Sequence, residues 1–119
     1  EESLADLDGR LPADCALERP VSQRRFRPNV VLRGLGAPYA EDELQSFSIG
    51  SAAFAQLGQT GRCVIPTTSP ETGGRDPEEQ PRATLMGYRP LPYGDGPHGG
   101  PTFGIWAAPR AEGKMAIGD

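Results

Sequence analysis

Apolar residues along the chain come in short bursts separated by polar turns, and their spacing changes from one burst to the next. Leu4, Leu7 and Leu11 recur at helical intervals. Ser3 is placed to cap that helix, and Asp6 follows three residues on, where a carboxylate suits a helix start. Gly9 and Pro12 keep it short, and residues 12–24 carry no period and read as loop. Phe26 to Leu32, with Val30-Val31-Leu32 at its heart, predicts a first strand. Pro28 lies near its start, where a missing N–H is tolerated, and Gly34 and Gly36 end it. Tyr39 to Leu44 is an acidic turn with one helical turn at Asp42-Glu43, and Phe47 to Leu57 reads as a hairpin about Gly50-Ser51.

Further along, Cys63-Val64-Ile65 predicts a short strand, and residues 68–82 a polar loop with turns at Ser69-Pro70 and Gly73-Gly74. Ala83 to Tyr88 reads as a single helical turn weakened by Gly87. Leu91 to Thr102 is a Gly/Pro-rich loop; Phe103–Ala107 and Lys114–Ile117 are the last strands. Short strands joined by Gly/Pro turns predict a mainly β fold, a barrel or sandwich, with one or two short helices.

Composition narrows the picture. With 119 residues the chain fits one domain spanning 1–119. Sixteen glycines and 13 prolines approach the level at which disorder competes with folding, but the branched and aromatic residues are clustered, which favours a loop-rich folded domain. The formal charge of −4 gives no basic field to attract a polyanion, so nucleic acid is not an expected partner. No apolar run reaches membrane-spanning length and no signal-peptide pattern opens the chain, so the expected compartment is cytoplasmic. The chain opens on Glu1-Glu2 and stops after Gly118-Asp119, which reads as a fragment of something longer.

Three constellations carry candidate chemistry. The first is Cys63, preceded by Arg62 and followed by an apolar pair and a hydroxyl-rich turn. A thiolate is a soft nucleophile and metal ligand, and a nearby cation favours it. The competing role is a buried structural cysteine, and a Cys15–Cys63 bridge is a further possibility. The second is Arg25-Phe26-Arg27-Pro28-Asn29. In an extended chain Arg25, Arg27 and Asn29 share one face and could grip a phosphate through charge-assisted hydrogen bonds; the competing role is a solvated strand edge. The third is Thr67-Thr68-Ser69 with Thr72-Gly73, whose hydroxyls and turn amides could hold an anion or simply form turns. His98 stands alone in the Gly/Pro loop, a poor place to hold an imidazole in register. Two cysteines and one histidine are too few for a structural zinc site. A metal that brings most of its own ligands, such as dithiolene-bound molybdenum, needs only one soft thiolate from the protein.

These blocks, in this order, resemble the MOSC domain of molybdenum-cofactor sulfurases and amidoxime-reducing component proteins. The resemblance lies in Ser3-Leu4-Ala5-Asp6-Leu7, in Arg25-Phe26-Arg27-Pro28-Asn29, in Arg62-Cys63 with Thr67 to Gly73, and in Phe103-Gly104 with the closing Ile117-Gly118-Asp119. It implies a β-rich, barrel-like fold and a C-terminal piece that lacks the family's N-terminal β domain. It implies molybdenum cofactor, with Cys63 as the metal ligand and catalytic residue and with Arg27, Asn29, Gly61 and Arg62 at the pterin. Arg25, Thr67 and Thr68 join this candidate set from the phosphate and anion readings. The implied activity is reduction of N-hydroxylated small molecules, fed by an external flavin, haem or iron–sulfur protein. The alternatives are a sulfur carrier using a Cys63 persulfide and a non-catalytic remnant, with pyridoxal phosphate as the alternative cofactor. Thr60 stands where many relatives carry a second cysteine, and Ile105-Trp106 stands where a Gln-Asn pair is frequent.

Overall fold

The structure, a computed structural model, describes residues 1–91 and 100–119. Helix α1 spans Glu2–Arg10, helix α2 spans Arg82–Tyr88, and the strands are β1 (Ser46–Ile49), β2 (Ala52–Gly61) and β3 (Thr102–Ala111). Short 3-10 turns lie at Gln23–Phe26, Ala40–Glu43 and Ile65–Thr67. The strands make one antiparallel sheet in the order β1-β2-β3. The β-rich, mixed character matches the expectation. Closure does not: among the described residues the sheet is open, and no strand returns to make it a barrel.

Helix α1 forms where the leucine spacing places it, but it begins two residues early. Glu1 is the N-cap and Ser3 lies inside, buried, with its hydroxyl donating to the Glu41 carboxylate at 2.8 Å instead of capping. Leu7 is fully buried, and Asp6 pairs with Arg10 one turn on at 2.6 Å. The loop after α1 is less idle than its composition implied. Asp8 accepts a bond from the Val21 N–H at 2.8 Å, and this fixes Leu17 and Val21 into the core.

Leu7, Leu11, Leu17, Val21, Phe26, Leu85 and Phe103 form that core. It gathers where β2 ends and β3 begins: Thr60, Thr102 and Phe103 are buried, whereas Leu57 and Trp106 further along the sheet are exposed. Phe26 stacks on Phe103 with ring centroids 4.2 Å apart. Burial of such side chains is worth about 1.5–3 kcal/mol each.

The β1–β2 hairpin has the expected turn, with Ile49 opposite Ala52 and Gly50 at φ 56°. An alanine Cβ at Gly50 would strike the Lys114 carbonyl, because the tail folds back over this turn. Ser51 N–H donates to that carbonyl at 3.0 Å, and Lys114 N–H donates to Ser51 Oγ at 2.9 Å. Those local bonds replace the predicted strand at Lys114–Ile117, which does not form. Strand β3 runs longer than predicted, pairing with β2 from Gly61↔Thr102 to Ala53↔Ala111 with register shifts on the way.

Two other predicted strands are turns. Around residue 26 Ser22 Oγ accepts from the Arg24 N–H at 3.3 Å and caps a 3-10 turn, after which Arg27 turns left-handed at φ 50°. A local acceptor thus captures a backbone that had β-branched residues downstream but no strand beside it. Residues 28–35 follow in no regular element, with Val30 and Val31 exposed. After Gly61 the chain leaves the sheet, and Pro66 sits in the first positions of the 3-10 turn at Ile65–Thr67. Proline suits that position because it has no N–H to lose.

Candidate functional site

Cys63 emerges two residues past the end of β2, exposed and with a free thiol. Its sulfur is not idle: the Ile65 N–H donates to Sγ at 3.5 Å. Cys15 is also free and packs partly buried against the core, so the two cysteines form no bridge. The alternative of a sealed structural thiol is therefore excluded for Cys63; Cys15 is the one that packs against the core.

Arg25 and Arg27 do not share a face, because the chain turns between them. Arg25 is buried; its Nε and Nη2 donate to the two Glu18 oxygens at 2.8 and 2.6 Å, and its Nη1 donates to the Pro66 carbonyl at 3.1 Å. That guanidinium holds Glu18 below its ordinary carboxylate value through this direct bonding, against the opposing pull of burial. Arg25 is thereby a strut between the 3-10 turn and the segment carrying Pro66, with its donors engaged by the protein. Arg27 is exposed and makes no ion pair among the described residues. Asn29 is exposed as well.

Arg27, Pro28 and Asn29 line a cleft of about 450 Å³ together with Thr60, Arg62, Phe103 and Gly104. Its other wall is apolar and comes from the hairpin and β3, with Phe47, Ile49, Phe54, Ile105 and Trp106. The hairpin pattern alone predicts the apolar side chains Phe47, Ile49 and Phe54, with Phe47 opposite Phe54, but not that they face a cleft. Cys63 itself is not on the lining of this cleft; its neighbour Arg62 is. Arg27 also borders a second, shallower cavity of about 530 Å³, lined by Arg24, Ile65, Thr68 and Ser69.

The hydroxyl-rich turn is mostly satisfied by its own backbone. Thr67 is fully buried and its hydroxyl donates to the Val64 carbonyl at 2.6 Å. Ser69 Oγ accepts from the N–H groups of Glu71 and Thr72, each at 3.3 Å. Thr68 faces the second cavity, half-buried. Turn formation accounts for Thr67 and Ser69, and their oxygens hold the loop. Gly61 ends β2 opposite Thr102. His98 and the Gly/Pro positions 92–99 lie outside the described residues. No three of His, Cys, Asp and Glu converge on a common point among the described residues.

Arg62 links the parts. Its Nε donates to the Phe103 carbonyl at 2.8 Å and its Nη1 to the Phe26 carbonyl at 3.0 Å. Its guanidinium carbon lies 5.5 Å from the centroid of the Phe26 ring. Burial lowers its affinity for the proton, and the nearby Cys63 opposes that shift. Guanidinium nevertheless stays charged in proteins.

Fold and site together define a small β-rich domain that offers one exposed thiol beside a cleft with a cationic mouth and an apolar wall. The MOSC domain family matches residues 1–119, and the chain belongs to that family. It is 39% identical over 92 residues to a molybdenum cofactor sulfurase of Oryza sativa subsp. japonica, covering 75% of this chain and 11% of that protein. It is 37% identical over 121 residues to mitochondrial amidoxime-reducing component 1 of Mus musculus, covering 100% of this chain and 33% of that protein. The human component 1 is 34% identical over 125 residues, with 34% of it covered. The chain thus spans about a third or less of these relatives. No described helix is long and apolar enough to cross a membrane.

Proposed function

We propose that this domain holds molybdenum cofactor for an oxidoreductase that reduces N-hydroxylated small molecules, with Cys63 as the thiolate on the metal. The observation that carries this reading is the exposed Cys63 sulfur with an amide donor already aimed at it, next in sequence to a residue on the same cleft as Arg27 and Asn29. The donor set fits such a group: one soft ligand for a metal that brings others, plus a free guanidinium and a free amide for a phosphate and a pterin edge. Bound molybdenum cofactor would supply the two-electron chemistry that takes oxygen from the substrate.

The chain's own residues bind and orient. The Ile65 N–H, donating to Sγ at 3.5 Å, helps to fix where the sulfur points. Arg27 and Asn29 stand ready for the anionic and polar parts, and Phe47, Phe54 and Trp106 offer an apolar wall on the other side of the cleft. Thr68, on the neighbouring cavity, is a secondary candidate for an anion. Gly61 stands at the strand end between Thr60 and Arg62, which both line the cleft. An electron-transfer protein carrying flavin, haem or an iron–sulfur centre would supply the electrons.

A sulfur-carrier function is the second reading, supported by the likeness to molybdenum cofactor sulfurases and by the exposure of Cys63. Thr60, buried on the cleft where a second thiol would assist relay, favours the reductase. Pyridoxal phosphate finds less support: its chemistry works through a lysine, and the only one, Lys114, packs against the hairpin turn and lines neither cavity. Elemental analysis of the purified protein and its Cys63→Ala variant tests the assignment. Molybdenum in the wild type and its loss from the variant is the expected result. Equal molybdenum in both overturns Cys63 as ligand, and a persulfide on Cys63 without turnover of an amidoxime supports the carrier.

A further inference from the structure

Arg62 is a half-buried cation without a carboxylate partner among the described residues. Partial desolvation of a charge is costly unless something recovers the loss. Here two carbonyls recover it, and they belong to the two residues whose rings stack: Phe26 and Phe103, 4.2 Å apart. Each of these carbonyls also sits at a turning point of the backbone. Phe26 immediately precedes Arg27 at φ 50°, and Phe103 immediately precedes Gly104 at φ 77°. A Cβ on Gly104 would approach Arg62 Nη2 to 3.4 Å. On the main-chain side, the Arg62 N–H donates to the Pro101 carbonyl at 2.7 Å, and the Arg62 carbonyl abuts Gly100 so closely that a Cβ there would collide with it.

One side chain and its own backbone therefore tie together the turn that presents Arg27, the entry to β3, and the point from which Cys63 leaves the sheet. We propose that Arg62 is a positioning residue, a planar two-carbonyl staple that sets the Arg27 turn relative to Cys63 through its bonds to the Phe26 and Phe103 carbonyls. This rests on the reading of Arg27 and Cys63 as one cofactor site. A guanidinium is suited to the task because its donors are fixed in a plane; an ammonium carries the charge on a single point and lacks that fork.

Two variants test the staple: Arg62→Lys, which keeps the charge, and Arg62→Met, which keeps length but no donor. Amide exchange is read in the metal-free protein, molybdenum per chain is read in the protein as purified, and the melting temperature serves as the folding control. The Arg27 N–H, which donates to the Arg24 carbonyl at 3.2 Å, reports on the turn. Its exchange is expected to speed up about tenfold in both variants, while amides of α1 keep their rates. Molybdenum retention is expected to fall in both, with lysine failing to rescue it. Unchanged exchange at Arg27 alongside lost molybdenum overturns the proposal, because Arg62 then acts on the cofactor directly. Wild-type exchange and retention in Arg62→Lys overturns it too, since charge alone then suffices. Equal acceleration across α1 and the turn overturns it as a general loss of structure. A wild type that holds no molybdenum defeats the cofactor reading alone, and the exchange comparison still decides the staple.

Discussion

Arg25 and Glu18 meet through two hydrogen bonds, at 2.8 and 2.6 Å, with the guanidinium buried and the carboxylate partly in solvent. This pair turns the most basic-looking stretch of the chain into a joint of the scaffold. Replacing Arg25 by alanine removes a cation that also holds the Pro66 carbonyl, and leaves that buried oxygen without its donor. The expected loss is about 2–3 kcal/mol, the scale of hydrogen bonds to charged groups, read as a shifted denaturant midpoint. Arg27→Ala, two residues on, is expected to leave that midpoint within about 0.5 kcal/mol, as exposed substitutions do, and to lower molybdenum retention instead. The opposite ranking of the two variants would reverse the roles given to these arginines.

The same pair predicts a pH dependence. Glu18 titrates below its ordinary value of 4.5 in the folded chain, chiefly because Arg25 bonds its ionised form. Its stabilising contribution is therefore fully present above about pH 4.5 and disappears as the pH falls through the lower folded value. Because the carboxylate is partly exposed, the effect is screened and small. Glu18→Gln should flatten the fall in stability below about pH 4.5, measured by urea unfolding at each pH. A variant with an unchanged acid limb would show that Asp6, similarly lowered by Arg10, dominates there.

How much of this was legible in the sequence depends on where local chemistry competes with pattern. Leu4, Leu7 and Leu11 gave a helix because nothing opposed their spacing, and Phe47 to Phe54 gave a hairpin because Gly50 allows the turn. Arg25 to Leu32 misled for an identifiable reason. Ser22 offers a side-chain acceptor to the Arg24 amide, the chain curls, and the alternation that put Arg25 beside Arg27 is lost. Thr67 and Ser69 resembled an anion nest, but such hydroxyls bond their own backbone first. Cys63 stands out by its residue type and neighbours, but its exposure depends on the chain leaving the sheet after Gly61, which residue type alone left open. The staple of Arg62 joins residues far apart in sequence, 26 and 103, and no local pattern encodes that meeting.

Gly100 provides the third prediction. A methyl group at this position would collide with the Arg62 carbonyl, a main-chain atom held by its neighbours. Accommodating it requires the 100–102 segment to move away from Arg62, weakening the 2.7 Å bond from the Arg62 N–H to the Pro101 carbonyl. Gly100→Ala is expected to cost about 1–3 kcal/mol, typical of forced overpacking, and to lower the melting temperature by roughly 4–12 °C. Gly9→Ala is the control, since nothing lies within 4 Å of a Cβ there and the residue is already helical. It should raise stability slightly, by about 0.5–1 kcal/mol. A Gly100→Ala protein as stable as the wild type would show that this segment yields freely, and would weaken the view that Arg62 is anchored on its main-chain side.

Leu85 offers the last test, of the packing that backs the site. It is fully buried on α2 and shares the core with Leu7, Phe26 and Phe103. Leu85→Ala leaves a cavity behind the Phe26–Phe103 stack and should cost about 2–5 kcal/mol. Leu85→Met nearly conserves volume and should cost less than about 1.5 kcal/mol. The Arg62 side chain bonds the backbone carbonyls of the same two phenylalanines, so loosening their stack should loosen the Arg27 turn as well. At a temperature where Leu85→Ala is still folded, exchange at the Arg27 amide should rise more than exchange in the β1–β2 hairpin, which lies outside that core cluster. Uniform acceleration in both places would mean the core and the sheet open as one unit, and the aromatic stack would have no privileged hold on the residues that present the cleft.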